Sequence, residues 1–401
     1  MEILTLKQFI EALEQTVPAR KQLTRDFLSG KKPDSRALNT LRATLDALQN
    51  IPRRGNELLL QLETGKPLQT EAEYEITELE KDLMFFEKGE DAFYRYLAES
   101  YTNFQQELNM GFSFLEGVPV QNFITDRDGT VNNYCARYNT SIQPAYNAVF
   151  LSRYASRVRH SILLTSAPLR HKGLADISVL PDNRFILAGS KGREYLDTEG
   201  QQGNLPISRA KQEILDRLNH KLSKLLAAER YAIYTRIGSG LQLKFGQTTI
   251  ARQDINHSIS DHESAHFLEK VTSIVRETDP EQNMLVIEDT GLDIEIILTT
   301  EPSENEQIKD FNKGDGISFL NKALELQLHK GPNLICGDTA SDIPMIEKSL
   351  KLTPDTLVIF VTTDKNLQKK VKKICKKYIF VSKPDILITL LGSAEKHEII
   401  L

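Results

Sequence analysis

The chain has 401 residues, 40% of them apolar and 26% charged, enough for two or three domains with ordinary cores. A formal net charge of -5 argues against a nucleic-acid partner, and no apolar run approaches the roughly 18 residues that span a bilayer. The three cysteines are odd in number and far apart, and the first residues lack a basic stretch followed by an apolar one. Reduced thiols and a cytoplasmic location are therefore expected, with no disulfide or zinc framework.

Residues 1–112 read as an N-terminal helical bundle, punctuated at Gly30-Lys31-Lys32-Pro33, Pro52-Arg53-Arg54-Gly55 and Gly65-Lys66-Pro67. Thr70 with Glu73 matches a capping box. Beyond it, Ile76, Leu79, Leu83 and Phe86 form one apolar helical stripe, and Glu71, Glu75, Glu78 and Asp82 are expected to face water. No histidine precedes His160, so the bundle is expected to carry no chemistry. Its functional alternative is a module for a protein partner or for self-association.

After Gly117 and Pro119, short β-rich runs alternate with helical stretches, the pattern of a parallel sheet. Strands are expected at 121–125, 160–166 and 184–189, with a helix at 142–157. Residues 193–308 follow a different order: a strand near 194–196, a helix at 207–228, strands near 232–236, 241–245 and 248–252, a helix at 261–277, and two strands near 284–287 and 292–297. From 310 the alternation resumes, with strands at 332–336, 357–361 and 378–381. The lysine-rich run from Lys365 to Lys377 reads as a solvated helix face. The expected architecture is an α/β, doubly wound parallel-sheet core (113–192 and 309–401) interrupted by an α+β cap (193–308) that covers the strand ends.

Chemistry is expected at those ends. Asp126 and Asp128 close the first core strand two residues apart, so both project from its carboxyl end. Thr165 ends the second strand, where a hydroxyl can bond a phosphoryl oxygen, and Lys313 brings a positive charge to a helix start. Asp338 follows a buried strand directly, and Asp342 lies one helical turn further on. Carboxylates without histidine suit Mg²⁺. His262-Glu263-Ser264-Ala265-His266 fits a zinc-protease pattern, but Ser260 and Asp261 just before it mark the polar first turn of a cap helix, which is the expected reading.

The order Asp-x-Asp-Gly-Thr, Thr, Lys, Gly-Asp-x-x-x-Asp resembles the haloacid dehalogenase superfamily of phosphatases, from about residue 115 to the C-terminus. The resemblance implies Asp126 as nucleophile, Asp128 as acid and base, and Thr165 and Lys313 as ligands of the transferring phosphoryl group. It also implies Mg²⁺ on Asp126, Asp338 and the main-chain oxygen of Asp128, supported by Asp342. Thr165-Ser166-Ala167-Pro168-Leu169, Gly189-Ser190-Lys191-Gly192-Arg193-Glu194, Gly238-Ser239-Gly240-Leu241-Gln242-Leu243-Lys244 and Asp293-Ile294-Glu295 further resemble trehalose-6-phosphate phosphatases, especially the nematode type with an N-terminal helical domain. That likeness implies sugar contacts from Arg193, Glu194, Lys244 and Glu295, and hydrolysis of trehalose 6-phosphate. The alternatives are another sugar phosphate (sucrose phosphate, or a glucosyl- or mannosyl-glycerate phosphate) or a regulatory protein that binds one.

Overall fold

The computed structural model describes residues 2–55, 57–62, 65, 67–254, 257–299 and 311–394. Helices α1 (Leu6–Glu14), α2 (Thr16–Leu28), α3 (Ser35–Gln49), α4 (Glu73–Lys88), α5 (Glu90–Ser100) and α6 (Phe104–Leu115) build the N-terminal part. Between α3 and α4 the chain departs from the all-helical expectation. It forms a three-stranded antiparallel sheet from β1 (Arg53–Arg54), β2 (Glu57–Gln61) and β3 (Pro67–Thr70). Proline and glycine break this stretch too often for a helix, and Leu58 and Leu60 are buried around an exposed Leu59, a period of two. Thr70 does not cap α4: Ala72 is the N-cap, with no side-chain bond, and the Thr70 hydroxyl accepts from Arg137 instead.

A larger departure lies along α4. Glu75, Glu78 and Asp82, expected in water, are buried. They recur at spacings of three and four, so they form a polar stripe beside the apolar one. Burial of ionised groups demands partners, and each has one. Arg137 Nη2 meets Glu75 at 2.8 Å, Arg20 Nε meets Asp82 at 2.7 Å, and Lys81 Nζ lies 2.9 Å from Glu78 and 2.7 Å from Asp385. Arg137 and Asp385 belong to the α/β core, so α4 is an interdomain helix.

The core carries β4 (Asn122–Thr125), helix α7 (Ala145–Ala155), β5 (His160–Leu164), helix α8 (Leu174–Ile177), β6 (Ile186–Gly189), β7 (Glu194–Leu196) and β8 (Gln202–Asn204). The insertion follows with helix α9 (Arg209–Leu226), β9 (Leu241–Lys244), β10 (Gln247–Ala251), helix α10 (Asp261–Thr278), β11 (Leu285–Asp289) and β12 (Asp293–Leu298). Helix α11 (Lys313–Ala323), β13 (Asn333–Gly337), helix α12 (Ile343–Leu352), β14 (Thr356–Val361), helix α13 (Lys365–Ile374), β15 (Tyr378–Val381) and helix α14 (Pro384–Gly392) complete the core.

Eight strands run in the order β15-β14-β13-β4-β5-β6-β7-β8, parallel from β15 to β6 and antiparallel beyond. Side chains alternate between the faces. Phe123 and Leu163 pack toward α7, α14 and the N-terminal helices in one continuous apolar core, while Ile124, Ile162 and Leu164 pack toward α11 and α12. The strand expected near 194–196 is β7, and with β8 it extends this core sheet. The expected boundary at 192–193 therefore falls inside the sheet; the one at 308–309 lies outside the described residues. The inserted sheet has the order β11-β12-β10-β9 and its own core with α9 and α10. The strand expected near 232–236 is instead a 3₁₀ helix, Glu229–Thr235. There Tyr231 and Tyr234, three apart and so on one side, both pack on Phe267. All three cysteines are buried and free, and no described helix is long and apolar enough to cross a membrane.

Candidate active site

The chain leaves β4, builds the sheet outward through β5 and β6, and returns to β13 on the other side of β4. Ligands of open α/β sheets bind where the strand order reverses, outside the carboxyl ends. Asp126 follows β4 and Asp338 follows β13 at that point, and the Asp126 amide donates to the Cys336 carbonyl at 3.0 Å.

Lys313 holds the centre. It is the first residue of α11, whose N-cap Asn312 accepts from the amides of Gly314 and Asp315. A cation at a helix N-terminus opposes the helix dipole. Two carboxylates offset this: Lys313 Nζ lies 2.5 Å from Asp126 Oδ1 and 2.6 Å from Asp342 Oδ1. Burial opposes the ammonium charge, but Asp126 and Asp342 outweigh it and hold Lys313 above its ordinary pKa. Asp342 Oδ2 in turn accepts from the amides of Asp338 and Thr339, both at 3.0 Å, which fixes the turn after β13. Thr130 Oγ1 lies 2.9 Å from Asp338 Oδ1 and 3.3 Å from Asp126 Oδ2. Gly129, at φ +83°, crosses so close that an added Cβ would sit 2.2 Å from Asp338 Oδ2.

Oxygens of Asp126, Asp338 and Asp342 lie within 4.8 Å of one another. These three carboxylates face one ammonium. Burial, against the opposing pull of Lys313, pushes Asp126 up to about 6; burial and the neighbouring Asp126 push Asp338 up to about 8. An oxygen-only donor set with excess negative charge fits a hard divalent cation. Among the described residues this is the one group of three or more potential ligands so gathered. His262 is exposed in the first turn of α10, capped by Ser260, and His266, one turn further on, is half-exposed.

Asp128 points to the same cleft and is held by neighbours that the sequence did not single out. Arg127 Nη1 lies 2.5 Å from Asp128 Oδ1, and the Ser141 hydroxyl donates to the same oxygen at 2.9 Å. Thr165 lines the cleft, and its hydroxyl accepts from the Ala167 amide at 3.3 Å.

The cleft encloses about 300 Å³ between core and cap, and the cap contributes Gln242, Lys244, Gln253, Asp254 and Asp293. Of the four expected sugar contacts, Lys244 lines it. Burial pulls its ammonium down to about 8, while Glu295, two strands away on β12 of the same sheet, opposes that fall. Arg193 lies over the Phe311 ring, outside this lining. The Glu194 carboxylate accepts from the Ser190 hydroxyl at 2.5 Å and from the Leu169 amide at 3.0 Å, bracing two loops. A larger cavity, about 750 Å³, separates the turn between β2 and β3 from the cap; Leu68, Tyr231 and Ile259 line it, with none of the aspartates above.

The class is that of a doubly wound α/β core with an inserted α+β cap and carboxylates gathered about a lysine at the switch point of its sheet. The chain belongs to the trehalose-6-phosphate phosphatase family: residues 123–387 match the model of that enzyme's C-terminal part, and residues 5–104 match the model of its N-terminal helical bundle domain. Alpha,alpha-trehalose-phosphate synthase [UDP-forming] 1 of Caenorhabditis elegans is 31% identical over 426 residues, 100% of this chain but 32% of that protein, so the chain spans about a third of it. The trehalose-phosphatase of the same nematode is 27% identical over 95% of this chain and 94% of its own, a match that takes in both helical domain and core. The C-terminal domain of C. albicans trehalose-6-phosphate phosphatase is 14% identical with a TM-score of 0.44, over 72% of this chain and 96% of that one.

Proposed function

We propose that this chain is a Mg²⁺-dependent phosphatase that hydrolyses trehalose 6-phosphate to trehalose and phosphate. The observation that carries the reading is Lys313, clamped between Asp126 and Asp342 at the switch point of the sheet with Asp338 beside them. A carboxylate about 4 Å from a phosphate dianion meets about 8 kcal/mol of repulsion at an effective dielectric of about 20, so a nucleophilic aspartate needs such a countercharge. Asp126 attacks phosphorus as the bond to the sugar oxygen breaks, giving an aspartyl-phosphate. Asp128 delivers a proton to the departing oxygen, then takes one from the water that releases phosphate. Lys313 and Thr165 orient the phosphoryl oxygens and balance their charge. Asp126, Asp338 and the main-chain oxygen of Asp128 would hold Mg²⁺, with Asp342 in support. When bound, the cation supplies further neutralisation of the phosphoryl charge.

Lys244 and Glu295 are proposed to bind sugar hydroxyls, for which charged groups make strong hydrogen bonds. Arg193 and Glu194 are proposed to hold the turn between β6 and β7 under the cap. A cytoplasmic setting fits the three free thiols. The family match to trehalose-6-phosphate phosphatases favours that sugar over other sugar phosphates.

Phosphate release is measured across a panel of sugar phosphates, with and without Mg²⁺. Trehalose 6-phosphate is expected to give the highest kcat/KM. Asp126→Asn is expected to lower kcat by about 10³-fold or more, because it removes the group that bonds to phosphorus. Full activity in that variant would overturn the reading.

A further inference from the structure

Several bonds join the N-terminal helical domain to the loop from Gly129 to Ser141, and one of them, from a tyrosine hydroxyl, leads toward Asp128. Tyr74 lies in the first turn of α4. Its hydroxyl donates to the Ile142 carbonyl at 2.9 Å and accepts from Asn132 Nδ2 at 3.0 Å. Asn132 Nδ2 lies 3.4 Å from Ser141 Oγ, and the Asn132 carbonyl accepts from the Gly129 amide at 2.7 Å. Ser141, the residue before Ile142, donates to Asp128 Oδ1 and accepts from Arg127 Nη1 at 3.0 Å. Arg127 also donates to the Ser141 carbonyl. Arg127, Asn132 and Ser141 are each at most 2% exposed, so water does not compete for these bonds.

We propose that Tyr74 is a positioning residue for Asp128: by gripping the Ile142 carbonyl and the Asn132 amide, it sets the Ser141 hydroxyl against the carboxylate that protonates the leaving sugar. The inference rests on the phosphatase reading above. Proton transfer depends on placement to within a fraction of an ångström. The loop from Gly129 to Ser141 carries that placement, and its outer side is held by a helix of another domain. The N-terminal domain is thus part of the machinery of the first chemical step.

The experiment is a rapid-quench measurement of the first turnover in the full chain with two esters, trehalose 6-phosphate and 4-nitrophenyl phosphate. In both, the phosphorus–oxygen bond breaks as Asp126 bonds to phosphorus. The sugar oxygen must gain a proton from Asp128, whereas nitrophenolate departs without one. Tyr74→Phe removes one oxygen and little volume. It is expected to slow the first turnover of the sugar ester about five- to tenfold, leaving KM and the aryl ester's first turnover at wild-type values. Ser141→Ala is expected to show the same ester selectivity, and the double variant to be no slower than Ser141→Ala, since both act through one chain of bonds. Equal slowing of both esters, slowing of neither, or additive losses in the double variant would overturn the inference while leaving the phosphatase reading intact. A wild-type chain that releases phosphate from neither ester would overturn that reading instead, and the inference with it.

Discussion

Lys244 is the cap residue whose charge state the fold alters most. On an open surface its pKa is 10.5; buried at the end of β9 it falls to about 8, despite the opposing pull of Glu295. A lysine lowered in this way is charged below about 8 and neutral above. If it binds sugar hydroxyls as a cation, affinity is present below that pH and is lost as pH rises through it. KM for trehalose 6-phosphate is therefore expected to rise above about pH 8, and Lys244→Arg to abolish that rise, because guanidinium stays charged. An unchanged KM profile in the arginine variant would remove Lys244 from the site. The proposed catalytic set is legible in the sequence because each member sits at a fixed offset from a strand end or helix start: Asp126 and Asp128 after β4, Lys313 opening α11, Asp338 after β13. Arg127, Ser141 and Asn132 were not singled out. The one available signal was Arg127, an arginine between two aspartates, which is close enough in the chain to pair with either.

At the scale of elements, α4 is the instructive case. Its acidic residues repeat at helical spacing, which on a free helix means a solvated face. Here that face meets Arg137 and Asp385 across a domain boundary, with the Tyr146 hydroxyl 2.7 Å from Glu78 and 2.8 Å from Asp385. Periodicity reports that a stripe exists, not what covers it, and the covering groups lie dozens to hundreds of residues away. Among the described residues, Lys81 is the cation that meets both carboxylates of this cluster, at 2.9 and 2.7 Å. Lys81→Met leaves Glu78 and Asp385 buried without it and is expected to cost about 3–5 kcal/mol in urea unfolding at neutral pH. Burial opposes ionisation of Asp385, yet Lys81 outweighs it and holds that carboxyl below its ordinary 3.8. The stabilisation is therefore complete above 3.8 and fades as pH falls through the lower folded value. The deficit of the methionine variant should shrink in acid; a deficit constant down to the acid limit would mean that the cost is one of packing.

Over the whole molecule, the cap rests on the core through few bonds. The Tyr138 amide donates to the Gly238 carbonyl at 3.0 Å, Asn139 Nδ2 to the Thr235 carbonyl at 2.9 Å, and the Phe245 amide to Ser190 Oγ at 2.9 Å. Cap and core have separate apolar cores, so relative rotation breaks little buried packing. The angle between them is expected to change when a sugar-phosphate analogue fills the cleft, and solution scattering with and without the analogue would read the change. Identical curves would argue for a cleft already set. The helical domain, in contrast, shares one continuous apolar core with a face of the sheet. By itself the sequence determined the doubly wound core, the inserted cap and which polar residues stand at the strand ends, since all three are local: strand-length apolar runs, a change of element order, and polar residues at run ends. Tertiary structure alone decided that β7 and β8 belong to the core sheet, that Arg193 and Glu194 lie outside the lining of the cleft, and that α4 faces protein. Those outcomes depend on which distant groups meet, and charge pairing across a domain boundary leaves no mark on the periodicity of either partner. The pair Asp126 and Asp128 was plain from the start; the bonds from Tyr74 to Ile142 and Asn132 became visible only when α4 was set against the loop.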